Sequence, residues 1–314
     1  MLDHQLDAIV KHVQAAGLPD LCDLPPVACR DLYRQILAAA DRPAADVQVE
    51  DRLMPSRPDV PALKLRVYTP RHGGPHGVIV YFHGGGYVLG DLDGYDSVCR
   101  QLCLDSAAVV VSVDYRLAPE HPFPAAVDDA WEALRWVGEH AKQLGADPAR
   151  LAVAGDSAGA ILATVTTMLA RDAKWPTIKF QALLYPPAAG GHAGDYPSRE
   201  RHAAGPTLTL RTMDYFGAHY FGAVAQAPDF RGAPLMAPSL AGLPPALVML
   251  AGHDPLRDEA LAYGHALQAA GTPTTIVEYD GLAHGFISMA GGIGAARLAQ
   301  LQFAQALRQG LEPR

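Results

Sequence analysis

Residues 151–159 read Leu151-Ala152-Val153-Ala154-Gly155-Asp156-Ser157-Ala158-Gly159, so a short apolar run leads directly into a Gly-x-Ser-x-Gly pattern. The stretch 161–170 that follows is suited to a helix. A strand, a sharp turn and a helix are the local structure that lifts such a serine above a sheet. Glycine is required on both sides because a side chain there would collide with the neighbouring strand or helix. The stretch predicts a layered α/β sheet, with Ser157 as a candidate nucleophile at a helix N-terminus.

Apolar runs on either side of this stretch extend the sheet. Residues 47–49 and 63–67 alternate apolar and polar side chains, which predicts half-buried antiparallel strands. Continuous apolar runs predict strands buried on both faces, and they cover 77–82, 107–113, 151–154, 180–185 and 246–251, with a further strand over 274–279. Helix-length segments such as 125–144 separate the strands. This alternation predicts a mostly parallel central sheet flanked by helices.

Two segments do not follow the alternation of strand and helix. The first 40 residues carry apolar side chains at helical spacing, and nothing in them indicates chemistry. Residues 188–234 are rich in Gly, Pro, His and aromatic residues, with a helix predicted over 210–221. The segment is too long for a simple connection, and long excursions of this kind are typically lids or binding loops. We therefore expect one core, residues 46–187 and 235–314, with a helical cap inserted at 188–234.

Composition narrows the function classes. The chain has 25 Lys and Arg against 33 Asp and Glu, a net charge of −8, and its basic residues are scattered, so we expect no nucleic-acid partner. No apolar run approaches the roughly 20 residues that span a bilayer, and no leader pattern is visible, so we expect no stable membrane anchor and a cytoplasmic location. The histidines lack HExxH or similar spacing, so no metal or other cofactor is expected. The cysteines form no CxxC pair and are interpreted as core residues: Cys22, Cys29, Cys99 and Cys103.

A glycine loop follows another predicted strand. The run ending at Phe82 continues into His83-Gly84-Gly85-Gly86-Tyr87, and bare backbone N–H groups in such a loop can receive an oxyanion. Because the loop must face substrate, Tyr87 is a candidate for the pocket wall, and His83 and Gly86 are candidate supporting or pocket residues. Asp156, beside the serine, is interpreted as a supporting charge rather than a proton carrier.

A serine nucleophile needs a histidine as general base and an acid that orients the histidine. In this order of elements the acid and then the histidine follow the serine. Asp254 comes directly after the strand 246–251, and His284 lies beyond the strand 274–279, where the carboxyl ends of parallel strands normally bind ligands. The residues leave alternatives open for both roles, namely Asp258, Glu278, Asp280 and His253.

Several motifs together resemble the bacterial hormone-sensitive lipase-like esterases, a branch of the α/β hydrolases. They are His83-Gly84-Gly85-Gly86-Tyr87, Asp114-Tyr115-Arg116-Leu117-Ala118-Pro119-Glu120, Gly155-Asp156-Ser157-Ala158-Gly159, Asp254-Pro255-Leu256-Arg257-Asp258-Glu259 and His284-Gly285-Phe286, in the order of the family. The resemblance implies the α/β-hydrolase fold and a catalytic triad of Ser157, Asp254 and His284. It also implies oxyanion donors at the N–H groups of Gly84, Gly85 and Ala158.

The same resemblance implies an activity and an architecture. Family members cleave esters of short to medium acyl chains without a metal, through an acyl-serine, and the resemblance allows for a homodimer formed through an edge strand. The cap would combine the N-terminal helices, residues 1–45, with the insertion 188–234. The chain departs from the family just after the serine, at Ala160 and Ile161. An amidase or thioesterase could use the same residues, and a non-catalytic ligand-binding protein on this scaffold is disfavoured because all three triad positions are filled.

Overall fold

The structure is a computed structural model, and it describes residues 1–312 of the 314-residue chain. Its strands span Gln48–Met54 (β1), Leu63–Thr69 (β2), His76–Phe82 (β3), Val109–Val113 (β4), Ala146–Asp156 (β5), Ile178–Leu184 (β6), Ala246–His253 (β7) and Thr274–Ala283 (β8). They form one eight-stranded sheet in the order β1-β2-β4-β3-β5-β6-β7-β8. Strand β2 runs antiparallel to both of its neighbours, and the other pairs are parallel. The mostly parallel sheet predicted from the sequence is confirmed.

The described helices include those that cover the two faces of the sheet and those of the 188–234 insertion, which is called the cap below. They span His4–Ala15 (α1), Pro26–Ala39 (α2), Asp96–Ser106 (α3), Ala125–His140 (α4), Ala158–Ala173 (α5), Pro197–Arg201 (α6), Leu210–Phe221 (α7), Arg257–Ala269 (α8) and Gly294–Gly310 (α9). The helix predicted over 125–144 ends in a 3₁₀ turn, and the helix predicted over 210–221 is α7. Cys29, Cys99 and Cys103 are buried, as expected of core residues, whereas Cys22 is only half-buried and does not belong to the core.

Core side chains form two clusters, one on each face of the sheet. Along β3, Val80 and Phe82 join the cluster that includes side chains of α4, α5 and α8, while Ile79 and Tyr81 join the cluster of α3 and α9. Successive side chains of a strand point to opposite faces, so a continuous apolar run is buried on both. Ala160 and Ile161, where the chain departs from the family, are both buried on α5. The sheet is therefore covered on both faces, and sheets of this kind bind ligands at the carboxyl ends of their strands.

The N-terminal segment makes two kinds of contact. Leu6 of α1 is fully buried in the cluster that contains α9, and the N–H of Asp3 donates to the carbonyl of Gly281 at 2.8 Å. The 3₁₀ turn before α2 instead contacts α7, where the Tyr215 hydroxyl donates to the carbonyl of Leu24 at 3.0 Å. Thus α1 packs on the core, and the segment that leads into α2 packs on the cap. Assignment of all of residues 1–45 to the cap stays a prediction.

Candidate active site

Ser157 occupies a sharp turn between β5 and α5. Its backbone has φ 54° and ψ −123°, a conformation that strains a residue with a side chain and is typical of active sites. A Cβ on Gly155 would meet the backbone of Gly159, and a Cβ on Gly159 would meet the carbonyl of Phe82. Only glycine at both positions allows the turn to pack this closely. Ala158 begins α5, so its backbone N–H has no partner inside the helix.

Three side chains from distant segments meet beside this turn. The His284 Nε2 lies 2.9 Å from the Ser157 Oγ, and the His284 Nδ1 lies 2.7 Å from the Asp254 Oδ2. Asp254 is fully buried, and its other oxygen accepts the N–H of Leu256 at 2.8 Å. With Nδ1–H donating to the carboxylate, Nε2 keeps a lone pair toward the hydroxyl. This arrangement can draw a proton from the serine.

Asp258, Glu278 and His253, which the sequence left as alternatives, have other partners, and the carboxylate at the His284 Nδ1 is that of Asp254 and not that of Asp280. Asp258 pairs with Arg257 at 2.8 Å, and Glu278 pairs with the same guanidinium at 2.7 Å. The ring of His253 faces that of His202 in the cap, with ring centroids 5.5 Å apart. The geometry thus brings together Asp254 and His284, and not these alternatives, at Ser157.

The glycine loop after β3 reaches the same turn, but its amides are not equivalent. Gly84 is buried, and its N–H donates to the Asp156 Oδ1 at 2.9 Å. Gly85 and Gly86 are half-buried with φ of 114° and 60°, and among residues 1–312 their N–H groups have no acceptor. The engaged amide of Gly84 is at odds with the expectation that it receives an oxyanion. The sequence could not show this, because the hydrogen bond joins Gly84 to Asp156, 72 positions further along the chain.

His83 and Tyr87 flank the glycines and are both buried. The His83 ring stacks on Tyr115 with centroids 4.3 Å apart, its Nδ1 lies 2.8 Å from the carbonyl of Gly84, and burial lowers its pKa to about 4. The ring of Tyr87 stacks on Tyr220 of α7, with centroids 3.9 Å apart. His83 is therefore a neutral support beneath the loop, and Tyr87 joins the loop to the cap. A role for Tyr87 in lining the pocket stays a prediction.

Two contacts at the site involve residues that sequence reasoning missed, Thr207 and Tyr185, and a third involves an aromatic residue of the 188–234 insertion, Phe216. The Thr207 hydroxyl, from the cap, donates to the carbonyl of His284 at 2.8 Å. The Tyr185 ring lies 4.5 Å from the imidazole of His284 between centroids, and its φ is 38°. Phe216 packs so closely on Gly86 that a Cβ there would meet the phenyl ring. These residues lie in segments with no motif of their own, so only their packing identifies them.

The described residues were expected to hold no metal ion and to form no membrane anchor. Among residues 1–312, no group of three or more His, Cys, Asp or Glu side chains is placed to hold a metal ion. None of the helices in that part of the chain is both long and apolar enough to cross a membrane.

The fold is a layered α/β sheet, and the site at the carboxyl ends of its strands aligns a serine hydroxyl, an imidazole and a carboxylate in the arrangement typical of serine hydrolases. Residues 79–288 match a family described by the alpha/beta hydrolase fold. Esterase LipI of Mycobacterium tuberculosis is 44% identical over 289 residues, which cover 92% of this chain and 86% of LipI. An ethyl acetate hydrolase of Pseudomonas putida is 35% identical over 280 residues, covering 88% and 86%. The structure of a hyperthermophilic esterase from Pyrobaculum calidifontis superposes with a TM-score of 0.91 at 40% identity, over 98% of both chains.

The chain therefore belongs to the alpha/beta hydrolase family. Both the predicted fold class and the resemblance to hormone-sensitive lipase-like esterases are confirmed.

Proposed function

We propose that the protein hydrolyses short- to medium-chain acyl esters of small molecules through an acyl-serine intermediate on Ser157. One observation carries the proposal, the alignment of the Ser157 Oγ, the His284 imidazole and the Asp254 carboxylate at 2.9 Å and 2.7 Å. Ester hydrolysis is also the activity for which the relatives are named, and the sequence prediction of a carboxylic ester hydrolase is confirmed at that level.

In the first half of the proposed reaction, the Ser157 Oγ attacks the ester carbonyl carbon. His284 takes the serine proton, and Asp254 holds the imidazole in the productive tautomer and stabilises the imidazolium. The electron pair of the broken C=O π bond moves onto the carbonyl oxygen. The N–H groups of Gly85, Gly86 and Ala158 are the donors proposed for this alkoxide, because the amide of Gly84 is already bound to a carboxylate.

Collapse of the tetrahedral intermediate breaks the bond between the carbonyl carbon and the alcohol oxygen. His284 gives its proton to the departing alcohol, and the acyl group stays on Ser157. Water then attacks the acyl carbon while His284 takes a proton from it. The second collapse returns the proton to Ser157 and releases the carboxylic acid, so no cofactor is consumed.

Aromatic side chains of the cap support the preference for shorter acyl groups. Phe216 lies against Gly86, one of the proposed oxyanion donors. Tyr87 stacks on Tyr220, and the ring of Phe221 lies 6.1 Å from that of Tyr87. The ring of Phe216, in contact with a proposed oxyanion donor, leaves less room there for a long chain. The ethyl acetate hydrolase among the relatives is named for a small ester.

The test is a series of p-nitrophenyl esters from acetyl to dodecanoyl, with Ser157→Ala as the catalytic control and Ser239→Ala, at an exposed loop position, as the matched serine control. We expect kcat/KM of the wild type to be highest for the shorter acyl groups. Activity should be lost in Ser157→Ala and kept in Ser239→Ala, and a fluorophosphonate should label Ser157 only. The anilide and thioester of the preferred acyl group should be poorer substrates. Faster cleavage of the anilide, or full activity of Ser157→Ala, would contradict the proposal.

Two further predictions concern assembly and location. The sheet has open edges at β1 and β8, and a homodimer through one of them stays a prediction to be checked by analytical ultracentrifugation. A cytoplasmic location likewise stays a prediction, to be checked by cell fractionation.

A further inference from the structure

The carboxylate of Asp156 is the centre of a buried hydrogen-bond network behind the glycine loop. Its Oδ1 accepts the N–H of Gly84 at 2.9 Å and the hydroxyl of Tyr81 at 2.8 Å. Its Oδ2 accepts the hydroxyl of Tyr95 at 3.2 Å, and the hydroxyl oxygen of Tyr95 lies 3.1 Å from the hydroxyl oxygen of Tyr33. The network thus connects helix α2, which carries Tyr33, to the first glycine of the loop.

Burying this carboxylate is costly. Asp156 is 2% exposed, and among residues 1–312 it forms no ion pair with an arginine or lysine. Burial accordingly raises its pKa to about 6, against the opposing effect of its hydrogen bonds. The proposed reaction gives Asp156 no proton to carry. What the carboxylate does in the folded chain is hold the N–H of Gly84 in one place.

Helix α2 holds the same loop at a second point. The guanidinium of Arg30 donates to the carbonyl of Val88 at 2.8 Å and to the carbonyl of Ala118 at 2.8 Å. Val88 closes the turn that contains the glycines, since its N–H donates to the carbonyl of Gly85 at 3.0 Å. The loop is therefore attached to α2 on both sides of Gly85 and Gly86.

We propose that the hydrogen-bonded chain of Tyr33, Tyr95 and Asp156 positions the glycine loop, so that the amides of Gly85 and Gly86 meet the oxyanion. Tyr33 and Tyr95 are then positioning residues for hydrolysis, and α2 is part of the catalytic support. The inference rests on the proposed function. Interactions that are made only in the transition state raise kcat and leave substrate binding nearly unchanged. A loop displaced by a fraction of an ångström should therefore lower kcat and spare KM.

Phenylalanine variants give the sharpest test because they remove a single hydroxyl. Tyr95→Phe and Tyr33→Phe break the chain at two points. Tyr68→Phe is the matched control, since Tyr68 is also fully buried and donates to a carboxylate, that of Asp96, at 3.1 Å. Each variant is measured for kcat, KM, unfolding temperature and inhibition by a trifluoromethyl ketone. Such a ketone forms a tetrahedral adduct with the serine and places an oxyanion in the same site.

Tyr95→Phe should lower kcat by about 10-fold or more, with KM within about 2-fold, and should weaken the ketone inhibitor by a similar factor. Tyr33→Phe should do the same to a smaller extent, about 3-fold. Tyr68→Phe should lower the unfolding temperature and leave kcat, KM and inhibition by the ketone unchanged. Asp156→Asn, which keeps one acceptor oxygen, should retain more activity than Asp156→Ala. Since Asp156→Ala is also at risk of misfolding, the tyrosine variants decide the outcome.

Each remaining outcome has one meaning. If Tyr95→Phe matches Tyr68→Phe in kcat and in ketone inhibition, the positioning role is overturned. An effect of Tyr95→Phe without any effect of Tyr33→Phe overturns the link to α2. Ser157→Ala, assayed in parallel, distinguishes a failure of the proposed function from a failure of this inference alone. An active Ser157→Ala removes the proposed function itself, whereas an inactive one with an unaffected Tyr95→Phe removes only this inference.

Discussion

The Ser157 Oγ lies 2.9 Å from the His284 Nε2, although 127 positions separate the two residues. Ser157 follows β5 and His284 follows β8, and β6 and β7 lie between these strands in the sheet. Because parallel strands end at one edge, the sheet itself brings the hydroxyl and the imidazole together.

Asp254→Asn should lower kcat by about 10⁴, as in serine proteases, because an amide would favour the wrong tautomer of His284. Asp258→Asn is the matched control four residues away. Its carboxylate accepts the N–H of Ser198 in the cap at 2.7 Å, so this variant should weaken cap packing and leave kcat within about 10-fold. Steady-state kinetics on one activated ester decides between them. If Asp258→Asn proved the more damaging change, the orienting acid would be wrongly assigned.

Phe216→Ala should shift the acyl-chain preference toward longer esters. The ring packs on Gly86, so its removal opens space beside the proposed oxyanion donors. The expected change is about 10-fold in the ratio of kcat/KM for dodecanoyl over butanoyl ester, the range that one apolar contact supplies. Val224→Ala, on an exposed part of the cap, is the control and should leave the ratio unchanged. If the ratio of kcat/KM for the two esters were unchanged in Phe216→Ala, the acyl group would not bind beside Phe216.

Thr207→Val should lower kcat by about 2- to 10-fold with little change in KM. The hydroxyl of Thr207 donates to the carbonyl of His284 at 2.8 Å, and valine keeps the shape of the side chain while losing the donor. Thr207→Ser restores a hydroxyl and should recover most of the activity. Equal losses in the valine and serine variants would indicate a packing effect instead of the hydrogen bond.

Asp156→Asn should change how stability depends on pH. Burial raises the pKa of Asp156 to about 6, so the folded chain holds this proton more tightly than the unfolded chain does. Its contribution to stability is complete below the ordinary carboxyl pKa of ~3.9 and is lost as the pH rises through about 6. The free energy of unfolding of the wild type minus that of the variant should therefore fall by on the order of 2 kcal/mol between pH 4 and pH 7. Urea denaturation at several pH values checks this, and a constant difference would argue against it.

Local sequence patterns were sufficient to predict the strands of the sheet and the candidate nucleophile. The run 77–82 is apolar throughout because its strand, β3, is covered on both faces, with Val80 on one side and Tyr81 on the other. Alternation over 63–67 similarly predicted the half-buried β2. The order of serine, acid and histidine followed from the order of strands. Asp254 and Asp258, however, both follow β7 closely, and spacing alone left the choice between them open.

The hydrogen bonds of the glycine-loop amides could not be predicted from sequence patterns. Gly84, Gly85 and Gly86 are identical in sequence terms, yet only Gly84 is bound to Asp156. Thr207 carried no motif at all and nevertheless contacts His284 from the cap. The periodicity of apolar residues along a sequence does not predict which side chain of a distant segment will bind a given amide or carbonyl.

The sequence by itself determined the strand, turn and helix around Ser157 and the alternation that builds the sheet, because strand periodicity and the steric demand for Gly155 and Gly159 act between near neighbours. Spacing along the chain left open which carboxylate reaches His284, for which the family resemblance implied Asp254, and only the tertiary structure shows which glycine amides lack an acceptor among residues 1–312. Those outcomes depend on hydrogen bonds between segments tens of residues apart, and such contacts exist only once the sheet and cap have packed together.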